Sequence, residues 1–196
     1  MTLQKLLNFT DFLHKFRAIE RSLLVRNNNR SENDAEHSYS LAMLAWYLNE
    51  TYKINLDSDK LFKYALAHDL VEVYAGDTYF YHNNEQVLKD KIERELEAAH
   101  KIKEEFPDFL ELHEIIEQYE SRTDAESKFI YALDKMEPVL NIYLDKGRTW
   151  RKNKVTLEML EKAKTPKIAT DSTIEKIFKE LVQKLKEEQS ELFDMI

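Results

Sequence analysis

Histidine and aspartate residues at three places carry the clearest chemical signal in this sequence. His37, the adjacent pair His68 and Asp69, and Asp134 all stand among apolar residues with helical spacing. A carboxylate on an inward helix face is costly unless it is paired or bound to a cation. Helical proteins build metal sites from imidazoles and carboxylates that several helices direct to one interior. The pattern predicts one divalent metal ion, for which this ligand set suits Mn, Co, Fe, Ni, Zn or Mg; the alternative is structural burial of hydrogen-bonded groups.

Two further carboxylates follow the His68 pair. Glu72 lies one helical turn after His68, where a carboxylate can orient a metal-bound water or accept its proton. Asp77 follows Gly76 just past the predicted helix end, where a carboxyl group can protonate a leaving alkoxide or bind a sugar hydroxyl. The plainer alternatives are an ion-paired helix residue for Glu72 and ordinary turn chemistry for Asp77.

Three motifs surround these residues. Residues 30–38 read Arg-Ser-Glu-Asn-Asp-Ala-Glu-His-Ser, residues 68–77 read His-Asp-Leu-Val-Glu-Val-Tyr-Ala-Gly-Asp, and residues 133–137 read Leu-Asp-Lys-Met-Glu. In this order they resemble the 5′-deoxynucleotidase-like branch of the HD-domain metal-dependent phosphohydrolases. The resemblance implies hydrolysis of (deoxy)nucleoside 5′-monophosphates to nucleoside and phosphate through a metal-activated water. It also implies that Glu72 and Asp77 belong to the catalytic group and that the protein is a homodimer.

Arginine residues before the first histidine are candidates for binding the substrate phosphate, because a guanidinium can make two parallel hydrogen bonds to it. Arg30 is the first candidate, and Arg21 and Arg26 are weaker ones. Arg30 can instead pair with Glu32 or Glu36, in which case it serves the fold alone.

The chain departs from the resembled branch at one point. That branch carries an Arg-Trp pair before the first histidine, whereas ungapped counting back from His37 reaches Ser22 and Leu23. Arg21 is one residue away and can substitute after a small shift. Leu23 has no indole that could stack on a sugar or exclude a ribose hydroxyl, so the resemblance does not extend to deoxyribose selectivity.

Other readings of the same residues stay open. One is an HD hydrolase that acts on another phosphorylated metabolite or on a guanosine polyphosphate alarmone. Another is di-iron oxygenase chemistry, which requires additional ligands; His82 is the histidine best placed to supply a second metal. A third is a metal- and nucleotide-binding helical module without turnover.

Composition restricts the fold that must position these groups. The 196 residues include two glycines, three prolines and no cysteine. Too few turn residues are present for a β-rich fold, a glycine-rich phosphate loop is excluded, and thiolate sites are absent. Apolar periodicity predicts an all-α domain of seven to nine helices, in these segments: 3–24, 35–53, 58–75, 85–105, 107–120, 125–145, 155–163 and 171–192. The resemblance implies that these helices form an HD-domain bundle.

We expect a single domain over residues 1–196. Its metal-site core should span about 20–145, and C-terminal helices at about 155–192 should pack on that core or on a dimer partner.

Charge and hydropathy bear on partners and location. The net charge is −8, which argues against binding a nucleic-acid polymer through a broad basic face. A local basic cluster can still hold a small phosphorylated metabolite. The longest apolar run, Leu41–Leu48, is too short to cross a membrane, and the first residues do not resemble a signal peptide, so the cytoplasm is the expected location.

Overall fold

A computed structural model describes residues 2–76 and 85–194, together with their side chains apart from those of 85–89. In these ranges the chain forms eleven helices and two strands. In chain order they are α1 (Leu3–Arg17), β1 (Glu20–Leu24), β2 (Ser31–Asn33), α2 (Asp34–Thr51), α3 (Ser58–Ala67), α4 (Glu72–Ala75), α5 (Glu85–Glu105), α6 (Leu110–Ser121), α7 (Ala125–Leu144), α8 (Arg148–Lys152), α9 (Leu157–Ile168), α10 (Ser172–Glu187) and α11 (Gln189–Leu192).

The predicted all-α class is confirmed. Eight of the helices within the described ranges have ten residues or more, which agrees with the seven to nine predicted. The remaining three, α4, α8 and α11, are single turns that periodicity does not detect because they are shorter than one repeat of an amphipathic pattern.

A two-stranded antiparallel ribbon replaces the end of the first predicted helix. Helix α1 ends at Arg17, and β1 pairs with β2 so that Glu20 lies opposite Asn33. The prediction of a longer helix was wrong because the run of asparagines reverses the chain, and Asn27 has a φ of 57° in the left-handed region that asparagine tolerates. The ribbon brings Arg21 to the beginning of α2.

Helix α2 begins at a capping box. The side chain of Asn33 accepts a hydrogen bond from the Glu36 amide at 3.0 Å, and the Glu36 carboxylate accepts one from the Asn33 amide at 3.2 Å. This reciprocal pair satisfies two amides that a helix start leaves unpaired. It fixes the first turn of α2, so that His37 points into the core, where it is fully buried.

The segment predicted as one helix over 58–75 is interrupted. Helix α3 ends at Ala67, and the chain then makes a tight turn in which the Leu70 amide bonds to the Ala67 carbonyl at 3.1 Å. The Glu72 amide bonds to the Asp69 carbonyl at 2.9 Å before α4 begins. His68 and Asp69, two of the predicted metal ligands, therefore lie in a turn between helices α3 and α4.

Helix α7 is the central element of the bundle and contacts α2, α3, α6, α9 and α10. It contains Pro138, which has no amide hydrogen to donate to the carbonyl of Asp134 one turn earlier. Asp134, Glu137 and Asn141 follow one another at helical spacing on the side that faces α2.

The C-terminal helices pack on this central helix. Helix α10 buries an apolar stripe against α7 and α9, consisting of Ile174, Phe178, Leu181 and Leu185. The buried residues of α9 are Leu157, Leu160, Lys164 and Ile168. Among the described residues, no helix combines the length and the apolar character needed to cross a membrane.

Candidate metal centre

The two histidines predicted as ligands are both buried, and their rings lie 5.3 Å apart. In each ring the Nδ1 atom is held by an acceptor. His37 Nδ1 donates to Glu137 Oε2 at 3.1 Å, and His68 Nδ1 donates to the Ala65 carbonyl at 3.0 Å. Such partners fix the ring orientation and direct Nε2 towards a metal.

The two predicted carboxylate ligands converge on these Nε2 atoms. Asp134 Oδ1 lies 3.1 Å from His37 Nε2 and 3.9 Å from His68 Nε2. Asp69 Oδ2 lies 2.9 Å from His68 Nε2 and 4.0 Å from His37 Nε2. Atoms that bind one ion at about 2.1 Å are separated by about 3–4 Å. All four distances are compatible with a shared ion.

The hydrogen bonding of His68 provides an independent test of that fit. His68 Nε2 is buried and has no hydrogen-bond partner, although Asp69 Oδ2 is close to it. A buried nitrogen without a hydrogen bond is rare and calls for a physical reason. A divalent ion that accepts its lone pair supplies one, so these residues fit a metal.

The protonation state of His37 differs from that of an isolated imidazole. Burial and the nearby Arg21 lower the pKa of His37, but its hydrogen bonds to Asp134 and Glu137 outweigh them and raise the pKa to about 9. A metal that binds Nε2 must therefore displace a proton.

Two basic side chains pair with the carboxylates. Arg21 Nη1 donates to Asp69 Oδ2 at 2.8 Å and to Asp34 Oδ1 at 3.1 Å, and Lys135 Nζ pairs with Asp134. Burial raises the pKa of Asp69, but His68 and Arg21 hold it well below its usual range. The carboxylates are therefore ionised, as a metal requires.

Glu72 lies beside these ligands, although it begins α4 and does not share one continuous helix with His68 as the sequence predicts. It is buried at the first residue of α4, and its carboxylate belongs to a group with Asp34 and Asp69 whose oxygens lie within 4.8 Å of one another. Burial together with Asp69 raises the pKa of Asp34, which lies in this group, to about 6. Sequence reasoning did not identify Asp34, because a charged residue in a first helical turn is also a common helix start.

The group that holds His37 was also missed. Glu137 is fully buried and accepts from Asn141 Nδ2 at 2.6 Å as well as from His37. Glu32, whose pKa burial and Glu137 raise to about 7, lies on the other side of Asn141. A signal was present, since Glu137 and Asn141 follow Asp134 by three and seven residues, on one face of α7.

The structure separates the three candidate arginines. Arg21 is at the cluster, whereas Arg30 is half-exposed and forms a bidentate pair with Glu36, at 2.8 and 2.6 Å. Arg26 is exposed. The geometry thus favours Arg21, the weaker candidate from the sequence, and the reason is the ribbon that replaced the helix. Leu23 is buried.

Some predicted residues cannot be placed. Asp77 and His82 lie outside the described residues. Their assigned roles stay predictions.

A cavity of about 100 Å³ opens beside the cluster. One part of its lining is charged and comprises Arg21, Asp69, Glu72, Lys91, Asp134, Lys135 and Lys164. The other part is mainly apolar and includes Leu23, Val139, Ile142, Trp150 and Val155. A ligand with an anionic end and a less polar body matches this division.

Comparison with known proteins agrees with this geometry. A family model described as HD domain matches residues 13–178, and the chain belongs to the HD domain family. A solved structure titled as a predicted metal-dependent phosphohydrolase from Magnetospirillum magnetotacticum MS-1 is similar over 97% of this chain and 96% of its own. Its TM-score is 0.80 and its sequence identity is 29%.

Curated relatives carry a more particular name. The 5′-deoxynucleotidase HDDC2 of Homo sapiens is 32% identical over 140 residues, which are 70% of this chain and 66% of that protein. The 5′-deoxynucleotidase hdd1 of Schizosaccharomyces pombe is 26% identical over 142 residues, 69% of each chain. The alignment thus spans about two thirds of the length of these relatives.

Proposed function

We propose that this protein is a metal-dependent phosphomonoesterase that hydrolyses (deoxy)nucleoside 5′-monophosphates to nucleoside and phosphate. The observation that supports it best is the convergence of His37, His68, Asp69 and Asp134 with both Nδ1 atoms already held. The names of the curated relatives support the substrate class.

The residues around the metal ligands have separate tasks in this proposal. A divalent ion held by the four ligands would polarise the phosphoryl group and lower the pKa of a bound water. Glu72 orients that water and accepts its proton, because its buried carboxylate stands next to the ligand Asp69. Arg21 binds phosphoryl oxygens, since its guanidinium lies at the same carboxylate. Asp77 is assigned to the leaving oxygen or a sugar hydroxyl.

Phosphate release from metal-stripped protein tests the proposal. Mn, Co, Mg, Ni, Fe and Zn are added back singly, with deoxy- and ribonucleoside monophosphates presented in parallel. We expect release that depends on metal and disappears in Asp69→Ala, while Glu72→Gln retains metal and loses turnover. The ratio of deoxy to ribo substrates shows whether Leu23 costs the sugar discrimination.

Negative results of this assay are equally specific. Metal binding without release from any nucleoside monophosphate would overturn the proposal. Release from a guanosine polyphosphate alone would assign a different HD substrate. Two metal ions per chain would favour the oxygenase alternative.

The homodimer and the cytoplasmic location are also part of the proposal. The apolar stripe of α10 is buried within the chain, so a partner must use another surface. Exposed apolar residues lie on α1, α2 and α3, namely Leu3, Leu6, Leu7, Tyr39, Met43, Trp46, Tyr47 and Leu66. Sedimentation should report a dimer that Leu66→Glu dissociates and that Met159→Glu, a substitution at an exposed site on α9, leaves intact. A monomeric wild-type protein would refute the dimer.

A further inference from the structure

Helix α9 carries a lysine where its sequence pattern calls for an apolar residue. Leu157, Leu160 and Ile168 form its buried stripe, and Lys164 occupies the same face at the intermediate position. Lys164 is only 5% exposed. Burying an ammonium group is costly unless it meets negative charge, so its presence in this stripe calls for a physical reason.

The side chain of Lys164 lines the cavity beside the metal ligands. It shares that lining with Arg21, Asp69 and Asp134. The last of these, Asp134, lies in α7, and helix α8 separates α7 from α9 in the chain. The acidic residues of α9, Glu158 and Glu161, are not part of the lining. Helix α9 therefore contributes positive charge to the cavity.

Three other cations belong to this lining: Lys91 of α5, which pairs with Glu95, and two that pair with carboxylates of the cluster. Arg21 is paired with Asp69 and Asp34, and Lys135 is paired with Asp134. Both reach the cavity from elements that also supply or support metal ligands. Lys164 comes from α9, a separate element that supplies none of the predicted metal ligands.

We propose that Lys164 is a substrate-binding residue that donates to the phosphate of a bound phosphomonoester in the cavity that it shares with the guanidinium of Arg21. The inference rests on the proposed function for the identity of the ligand. Arg21 from β1, Lys135 from α7 and Lys164 from α9 would then share this anion, and Lys91 from α5 adds positive charge to the same cavity. The C-terminal helices, which lie outside the three sequence motifs, thereby take part in substrate recognition.

Binding of inorganic phosphate to metal-loaded protein, measured by calorimetry, tests Lys164 without requiring turnover. Lys164→Met should weaken phosphate binding about tenfold or more, because a hydrogen bond to a charged group is lost. Lys164→Arg should restore most of the affinity. Lys162→Met is the matched control, since Lys162 is exposed on the same helix. Metal content and thermal unfolding are recorded for each variant to establish that it is folded and loaded.

Kinetics separate the two proposals. If wild-type protein binds phosphate but hydrolyses no monoester, the proposed function fails, and weaker binding in Lys164→Met still supports the role of Lys164. If wild-type protein is active, the substitution should raise KM for the nucleotide more than it lowers kcat. Unchanged phosphate affinity in a folded, metal-loaded Lys164→Met protein would overturn the inference, as would an equal effect in Lys162→Met. Should Lys164→Met fail to fold, Lys164→Gln and Lys164→Arg replace it, and equal phosphate affinity in both would overturn it as well.

Discussion

Glu137 should control metal affinity although it is not itself a ligand. It is fully buried, and its carboxylate accepts from His37 Nδ1 at 3.1 Å and from Asn141 Nδ2 at 2.6 Å. The first of these bonds keeps Nε2 of His37 directed at the ligand cluster and makes the imidazole more basic. Substitutions at residue 137 therefore act on the metal through His37.

The expected magnitudes differ between two substitutions. Glu137→Gln keeps the shape, and its amide oxygen can still accept from His37, but the negative charge is lost and an NH2 group replaces the oxygen that accepts from Asn141. Loss of such a partner weakens metal binding by about 10–100-fold, and we place Glu137→Gln near tenfold. Glu137→Ala should weaken metal binding by about 100-fold. It should also destabilise the fold by about 2–4 kcal/mol, because the buried donors of His37 and Asn141 lose their acceptor.

Competition with a chromogenic chelator measures the metal dissociation constant of each variant. Glu117→Gln serves as the control, since Glu117 is exposed on α6. Activity is then compared at saturating metal, where the variants should recover much of the wild-type rate. If Glu137→Gln binds metal as tightly as Glu117→Gln does, the hydrogen bond at His37 Nδ1 does not control metal binding at Nε2, and the prediction is refuted.

Further predictions concern phosphate binding, pH and metal-linked stability. Arg21→Met should raise KM about tenfold or more, whereas Arg30→Met, which removes only a surface pair with Glu36, should leave KM unchanged; equal effects in steady-state kinetics would contradict the placement of Arg21. Partial burial raises the pKa of Asp124, but hydrogen bonds from Ser127 and Tyr64 outweigh it and hold the pKa at about 2. Because this folded-state pKa lies below the ordinary value, its contribution of about 1–2 kcal/mol is present above pH 4 and is lost as the pH falls towards 2. Urea unfolding should show Asp124→Asn less stable than wild type at pH 6, with the difference shrinking in acid; a constant difference would contradict it. Finally, chelation should lower Tm, and an ion at a hundred times its Kd should restore about 2.7 kcal/mol; a metal-bound protein whose Tm does not respond would contradict this.

The sequence predicts the helices and the metal ligands because both depend on local spacing. The apolar period of 3.6 residues defines α2 and α7, and it places His37 and Asp134 on their inward faces. His68 and Asp69 are neighbours in the chain, so their proximity can be predicted without any knowledge of long-range contacts. Residues of this kind can be found from a motif alone.

The candidate arginines show the limit of predictions that rest on local spacing. Arg30 precedes His37 closely in the chain, yet it lies at the tip of the ribbon and pairs with Glu36. Arg21 is farther away in sequence, but antiparallel pairing folds β1 back along β2 and returns it to the cluster. Strand pairing is a contact between separate segments, so counting residues from His37 cannot detect it. Apolar Leu23, Leu24 and Val25 before the asparagine run were the available signal for this ribbon.

The same distinction explains why the charge balance of the centre could not be read from the sequence. Arg21 from β1 pairs with Asp69, and Lys135 pairs with the adjacent ligand Asp134. These pairs keep the buried carboxylates ionised, and an ionised carboxylate binds a cation without first losing a proton. His37, by contrast, must release one. The fold thus keeps Asp69 ionised through a long-range ion pair with Arg21 and Asp134 ionised through its chain neighbour Lys135, and pH should act on metal binding through the proton that His37 releases.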